Sequence, residues 1–283
     1  MKILGNVSAR KKESLPCTLA ASIVFFILVT LLAAVLVGCG GSGASGETSG
    51  AEDLTAEQVL QRSVEQFMSL TSYRYRGTSS MSVAGNDALS SESEFDTLLV
   101  KNDQGGMDGH MVVTSKGGSG SYETYSYHGT GYTRLEGEEW YRVEDGAGGS
   151  GLVSPEARRI VAEFATLVED VSFVDETDSE YIISMVMGQA YFDGAAEIVG
   201  ADPTATGFDE AREITMTITV DKETFNMTDA TMTQATEATA DTPAVTVVTQ
   251  GTYSEFNEPV DLQPPPEALN APLKDEADAA SIE

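Results

Sequence analysis

Ile214-Thr215-Met216-Thr217-Ile218-Thr219-Val220 alternates apolar and hydroxyl side chains without a break. Successive side chains of a strand point to opposite faces, so this segment has one apolar face and one wet face. A half-wet strand belongs to an antiparallel sheet that is covered on one side only. Working outward, Asp221-Lys222-Glu223-Thr224 reads as a turn, and Phe225 to Thr233 returns as the next strand. Tyr181 to Met187 precedes the quoted stretch as a strand, and Val245 to Tyr253 is the last long one.

The first half of the chain carries the same signal. Ser72-Tyr73-Arg74-Tyr75-Arg76 alternates aromatic and basic residues. Glu92 to Lys101, Gly109 to Ser115 and Ser121 to His128 are further strands. Tyr132 to Leu135 and Trp140 to Glu144 read as two arms of a hairpin around Glu136-Gly137-Glu138. Two helices have clear starts. Thr55-Ala56-Glu57-Gln58 is a capping box, followed by Val59, Leu60, Val64, Phe67 and Leu70 at helical spacing. Ser154, Pro155 and Glu156 supply an N-cap, a first-turn proline and a dipole-compatible acid, and Ile160, Val161, Phe164, Leu167, Val168 and Val171 line one face. Gln189 to Val199 reads as a short helix interrupted by Gly194. The expectation is an α+β fold of about nine antiparallel strands with two or three helices, too few and too unevenly placed for βαβ units.

The N-terminal segment has its own logic. Lys2, Arg10, Lys11 and Lys12 form a basic stretch, broken by Glu13. Leu19 to Val37 is uncharged, with Ser22 and Thr30 its only polar side chains. Leu36-Val37-Gly38-Cys39 follows, and then Gly40-Gly41-Ser42-Gly43. This order of parts is that of a secretory signal, and its end resembles the lipobox of bacterial lipoproteins. That resemblance implies cleavage before Cys39, a diacylglyceryl group on its thiol, and residence at the outer face of the cell membrane. The alternative is an uncleaved anchor, since nineteen helical residues reach roughly 28 Å, close to the bilayer core. The expected organisation is a signal peptide over 1–38, a Gly/Ser tether over 39–52, one folded domain over 53–268 and an acidic tail over 269–283. The tether spans roughly 19 Å as a random coil.

The chain carries 16 basic against 45 acidic residues, a net charge of −29. Removing residues 1–38 removes four basic residues and one acid, leaving 12 against 44 and a net charge of −32. Such a chain repels nucleic acid and anionic headgroups, which excludes nucleic acid as an expected partner. Cys17 and Cys39 are the only cysteines, so the domain has no disulfide, no CxxC pair and no cysteine-based metal site. Stability must come from one hydrophobic core.

No G-x-S-x-G elbow, H-E-x-x-H, P-loop or Rossmann fingerprint occurs, and the S-x-x-K match at Ser8 to Lys11 lies in the signal. His110 and His128 are the only histidines and read as surface residues without a catalytic or metal role. Asp175, Glu176, Asp178 and Glu180 lack EF-hand spacing and read as a solvated acidic turn. No cofactor is expected. The informative residues are apolar. Met185, Met187, Met216, Met227 and Met232 fall on strands of the second half, and Tyr73, Tyr75, Tyr125, Tyr127, Tyr132 and Trp140 on strands of the first. Thioethers and aromatics suit an adaptable apolar cavity. They also suit a packed core, which is the commoner use.

A family resemblance runs along the same residues. The tethered Cys39, the capped helix, Ser72-Tyr73-Arg74-Tyr75, Trp140-Tyr141-Arg142-Val143, Ser154-Pro155-Glu156 and Tyr253-Ser254-Glu255-Phe256-Asn257-Glu258-Pro259-Val260 before Pro264 occur in that order. The chain resembles the LppX/LprG-type lipoproteins of Gram-positive bacteria and their LolA-like relatives over nearly all of Asp53 to Ala268. The resemblance implies a curved antiparallel half-barrel wrapped around helices, with a lipid or acyl chain held between them. The family has no short ligand motif, so no contact residue carries over. The loop 193–211 and the acidic tail after Pro266 depart from it. With such curvature, Met185, Met187, Ile214, Met216, Ile218 and Val220 face the helices and become the candidate ligand-binding residues. The expected function is a non-enzymatic, lipid-anchored carrier or binder of an apolar ligand. The alternative is an envelope sensory or protein-interaction module without a small-molecule ligand, as in RseB-like half-barrels.

Overall fold

The computed structural model describes residues 54–87, 90–103, 106–116, 120–143, 163–189, 191, 193, 213–238 and 243–274. The signal, Cys39, the tether and the Ser154 cap lie outside the described residues.

Helix α1, Ala56–Ser69, starts where the sequence places it. The Gln58 backbone N–H donates to Thr55 Oγ1 at 3.3 Å, and the Thr55 N–H donates to Gln58 Oε1 at 2.9 Å. Both orphan donors of the first turn are thereby satisfied. Val59, Leu60, Ser63, Val64 and Phe67 are buried along one face.

Eleven strands follow: β1 Ser72–Val83, β2 Ser91–Lys101, β3 Met107–Lys116, β4 Tyr122–Tyr127, β5 Thr130–Leu135, β6 Tyr141–Val143, β7 Glu169–Glu176, β8 Glu180–Met187, β9 Glu213–Asp221, β10 Met227–Thr236 and β11 Val245–Ser254. Helix α2, Pro266–Leu269, ends the series. All strands join one open antiparallel sheet in the order β6-β5-β4-β3-β2-β1-β11-β10-β9-β8-β7. The fold is an α+β half-barrel. One wing runs from β2 to β6, the other from β10 to β7, and the β1–β11 pair is the seam between them.

The sheet has eleven strands rather than about nine. The strand absent from the sequence reading is β7. Val171 continues the helical spacing of Phe164, Leu167 and Val168, which places it on the helix by sequence. Among the described residues the helical stretch runs over 163–167 and ends there, and Val171 and Phe173 alternate along β7. A single spacing fits both periods over so few residues. Asp175 and Glu176 end β7 and Glu180 opens β8, so the acidic turn narrows to residues 177–179. Lys222 Nζ binds Glu176 Oε1 there at 2.7 Å. Of the expected helix over 189–199, residues 189, 191 and 193 are described and helical.

Turn chemistry sets the other boundaries. Gly137 has φ 81° at the β5–β6 turn, a conformation glycine adopts without strain. Asp221 Oδ1 accepts from the Thr224 N–H at 2.8 Å and from Thr224 Oγ1 at 2.6 Å, and Phe225 at φ 57° closes that turn. This delays β10 to Met227. The packed chain also continues beyond Ala268. Ala271 is buried, and Leu273 forms a parallel bridge with Arg142, whose N–H donates to the Pro272 carbonyl at 2.7 Å. The packed chain therefore runs past the expected domain end at 268. Among the described residues no helix is long and apolar enough to cross a membrane.

Candidate functional site

The seam sets the shape of the inner face. Gly77 on β1 pairs with Gly251 on β11. A Cβ on Gly77 would stand 2.0 Å from the Gln250 carbonyl oxygen and 2.7 Å from the Phe95 ring. A Cβ on Gly251 would stand 2.6 Å from the Tyr75 ring. The glycine pair leaves room for these aromatics to lie over the backbone. Tyr75 and Tyr253 stack at 4.4 Å, Tyr75 and Phe95 sit 5.0 Å apart, and Phe67 of α1 lies 5.0 Å from Tyr73 and edge-on to Tyr253 at 5.8 Å. Such pairs add about 0.5–1.5 kcal/mol each beyond area burial. They pin α1 over the inner face. Burial pushes the Tyr73 and Tyr253 hydroxyls well above the usual phenol range, so both stay neutral.

The second wing brings all six candidate residues together. Met185 stands opposite Met216, Met187 opposite Ile214, and Ile183 opposite Ile218. Met216 in turn faces Met232, Ile218 faces Ala230 and Val220 faces Met227. All six candidates are at most 3 % exposed and join Val59, Leu60, Val64 and Phe67 of α1 in one core cluster. The strict alternation of β9 put these side chains on one face, and β8 and β10 follow in register.

The first wing contributes inner-face residues that sequence reasoning missed. Phe95, Leu99, Met107, Met111 and Val113 belong to the same cluster. The alternation Met107, Gly109, Met111, Val113 in β3 was the available signal. The glycine in the middle obscured it. This wing also carries buried hydroxyls, which the second wing lacks. Thr97 is fully buried, Thr124 and Ser126 nearly so, and burial pushes the Tyr122 hydroxyl up to about 12.

The first-half aromatics divide between the two faces. Tyr73 and Tyr75 point inward. Tyr132 and Trp140 are buried with Ala268 and Ala271 in a separate cluster that Tyr125 and Tyr127 flank. That cluster lies on the outer face, because Tyr125 shares register with His110, and His110 with Leu98 and Arg74. Arg134 lies 4.9 Å above the Trp140 ring and binds Glu123 Oε2 at 2.5 Å. His110 is part of this network rather than free surface. Its Nε2 meets Glu123 Oε1 at 2.9 Å, and its ring stacks on Tyr125 at 4.2 Å. His128 occupies the β4–β5 turn at φ 48°, with its N–H donating to Asp108 Oδ1 at 2.8 Å. Among the described residues no group of three or more His, Cys, Asp or Glu is placed to hold a metal.

Residues 55–272 match the model of a family described as of unknown function, DUF6612. The chain belongs to this family. No curated protein matches it. Solved structures similar to this DUF6612 chain include LprF from Mycobacterium bovis, at 16% identity and TM-score 0.43, covering 74% of this chain and 96% of that one. A LolA superfamily protein from Nitrosomonas europaea is similar at 11% identity and TM-score 0.29, covering 74% and 96%. A protein domain from Vibrio parahaemolyticus described as outer membrane lipoprotein-sorting is similar at 8% identity and TM-score 0.30, covering 73% and 95%.

Proposed function

We propose that this protein is a non-enzymatic, extracytoplasmic lipoprotein that binds a lipid or other apolar ligand between its sheet and α1. The observation that supports this is the second wing. Ten strand residues in register, five of them methionines (Met185, Met187, Met216, Met227 and Met232), present an uncharged and readily repacked surface beneath an amphipathic helix. Sliding hydrocarbon between them is worth about 0.8 kcal/mol per buried CH₂. The Cys39 motif supplies a two-chain anchor that holds the domain at the outer face of the cell membrane, with the acidic surface keeping it off anionic headgroups. Purifying the full-length protein from membranes and identifying co-purified lipid by native mass spectrometry tests the reading. A stoichiometric lipid released on unfolding is the expected result. A ligand-free protein that fails to take up dioleoylglycerol or hexadecane overturns it. Cys39→Ala should abolish lipid labelling and processing at that site, and continued processing there removes the anchor.

A second reading rests on β7, the outermost strand. Phe173 is 36% exposed and Val174 is 61% exposed. An exposed apolar pair on a sheet edge suits a protein partner in the envelope. Loss of a cross-linked partner on Val174→Lys, with lipid uptake unchanged, favours this reading.

A further inference from the structure

The hydroxyls of the inner face fall into two groups. Some are satisfied by the fold. Ser79 and Thr249, opposite each other across the seam, share a hydrogen bond of 3.0 Å. Thr124 Oγ1 donates to the Tyr132 carbonyl at 2.9 Å. Four others are fully buried at the oxygen and have no hydrogen-bond partner: Ser63 Oγ, Tyr73 Oη, Thr97 Oγ1 and Ser126 Oγ. A buried hydroxyl without a partner is costly, and folds rarely keep one without a reason.

These four are not scattered. Tyr73, Thr97 and Ser126 lie on the inner face of β1, β2 and β4, and Ser63 lies on the buried face of α1. Tyr73 stands opposite Leu99, Leu99 opposite Gly109, and Gly109 opposite Ser126. Thr97 stands in the adjoining row, opposite Tyr75 and Met111. Ser63 precedes by one helical turn Phe67, whose ring lies against Tyr73. Gly109 adds no side chain to this row, and Leu99 Cδ2 leans over it, 2.9 Å from where a Cβ would stand, so the row between the Tyr73 and Ser126 hydroxyls holds one movable aliphatic side chain. Charge is absent. Among the described residues Asp108 is the one buried side chain that carries charge. Asp108 falls in register with the outer face, where Asn102 Nδ2 and the His128 N–H take its Oδ1, each at 2.8 Å.

We infer that Ser63, Tyr73, Thr97 and Ser126 form a neutral hydrogen-bonding subsite, and that the ligand is an amphiphile whose uncharged ester or hydroxyl linkage sits on the first wing while its hydrocarbon lies on the second. The inference rests on the ligand-binding reading above and narrows it. A bare hydrocarbon leaves the four hydroxyls unpaired. An ionic headgroup finds no counter-charge there and must remain outside. A glycerol ester satisfies both wings, because its carbonyls accept hydrogen bonds and its acyl chains do not need any.

The test compares two probes on purified full-length protein. The probes are 1,2-dioleoylglycerol and hexadecane, and the variants are Thr97→Val and Ser126→Ala, each of which deletes one hydroxyl with little change of volume. Dioleoylglycerol affinity should fall about fivefold in each variant, the effect of one neutral hydrogen bond. Hexadecane affinity should not change. Thr97→Ser, which keeps the oxygen, should restore the dioleoylglycerol affinity lost in Thr97→Val, and Ser126→Ala carries the test if Thr97→Val fails to fold. Unchanged dioleoylglycerol affinity in the folded valine and alanine variants overturns the subsite, as does an equal loss for both probes. A parent that binds neither probe overturns the ligand-binding reading itself, and with it this inference.

Discussion

The two wings of the sheet face one interior with different side chains. From β8 to β10 the buried inner face is Met, Ile, Val and Ala. From β2 to β4 the same face mixes Phe95, Leu99, Met107 and Met111 with Thr97, Thr124 and Ser126. Hydrophobic burial alone would favour the first composition on both sides, since each unpartnered hydroxyl costs about 1–3 kcal/mol. The difference therefore marks the first wing as the place where stability gives way to some other demand. It also makes the wings distinguishable by experiment.

The largest effect belongs to the seam that holds them together. Gly77→Val should destabilise the protein by more than about 4 kcal/mol, because even its Cβ collides with the Gln250 carbonyl. Urea denaturation should show little folded population. A stable Gly77→Val variant would mean that the wings do not depend on this close approach. Next comes the second wing. Met216→Ala should cost about 3 kcal/mol through the cavity left between Met185 and Met232. The same measurement on Thr97→Val should show no loss, or a small gain, because an unsatisfied oxygen disappears. Equal losses would erase the contrast between the wings.

The outer face should behave as a separate unit. Trp140→Ala should cost about 2 kcal/mol and release α2. Hydrogen exchange should then accelerate over residues 266–273 and leave β8 and β9 protected. Uniform acceleration would show that the outer cluster is continuous with the core. The smallest effect concerns pH. Burial raises the Asp96 carboxyl, but hydrogen bonds from Arg74 and Arg76 outweigh it and hold it below the usual carboxylate range. Its contribution is therefore present above the unfolded value near pH 4 and is lost as pH falls through the lower folded value. Asp96→Asn should flatten the acid limb of the stability curve below about pH 4, with little change in its shape at pH 7. An unaltered acid limb would remove Asp96 from the pH response.

Much of this arrangement is legible in the sequence. Period-two patterning located ten of the eleven strands, and the Thr55 capping box located α1. These signals are local, which is why residues alone suffice for them. The six candidate residues came together because strict alternation in β9 leaves no choice of face. The elements that escaped depend on distant partners. Strand β7 shares its spacing with the helical stretch before it, and only pairing with β8 decides its state. The fate of Tyr125, Tyr132 and Trp140 depends on α2, which lies far along the chain and covers the outer face. The unpaired hydroxyls of Ser63, Tyr73, Thr97 and Ser126 were invisible, because a sequence shows hydroxyls and not whether they find partners.

The seam also governs how the molecule can form. The first wing is a meander of hairpins between near neighbours, which close within microseconds. In the second wing β7–β8 and β9–β10 are hairpins of the same kind, with a 25-residue connection between β8 and β9. The β1–β11 ladder instead joins Arg74 to Ser254 and Val83 to Val245, so almost the entire domain must be available before it closes. Closing so long a loop is entropically costly and comes without reward until the ladder is made. Until then β1 and β11 are two bare edges, each able to pair with the wrong chain. Folding speed and aggregation should therefore be set at this seam, and crowding of unfinished chains should harm the yield more than any weakening of the wings.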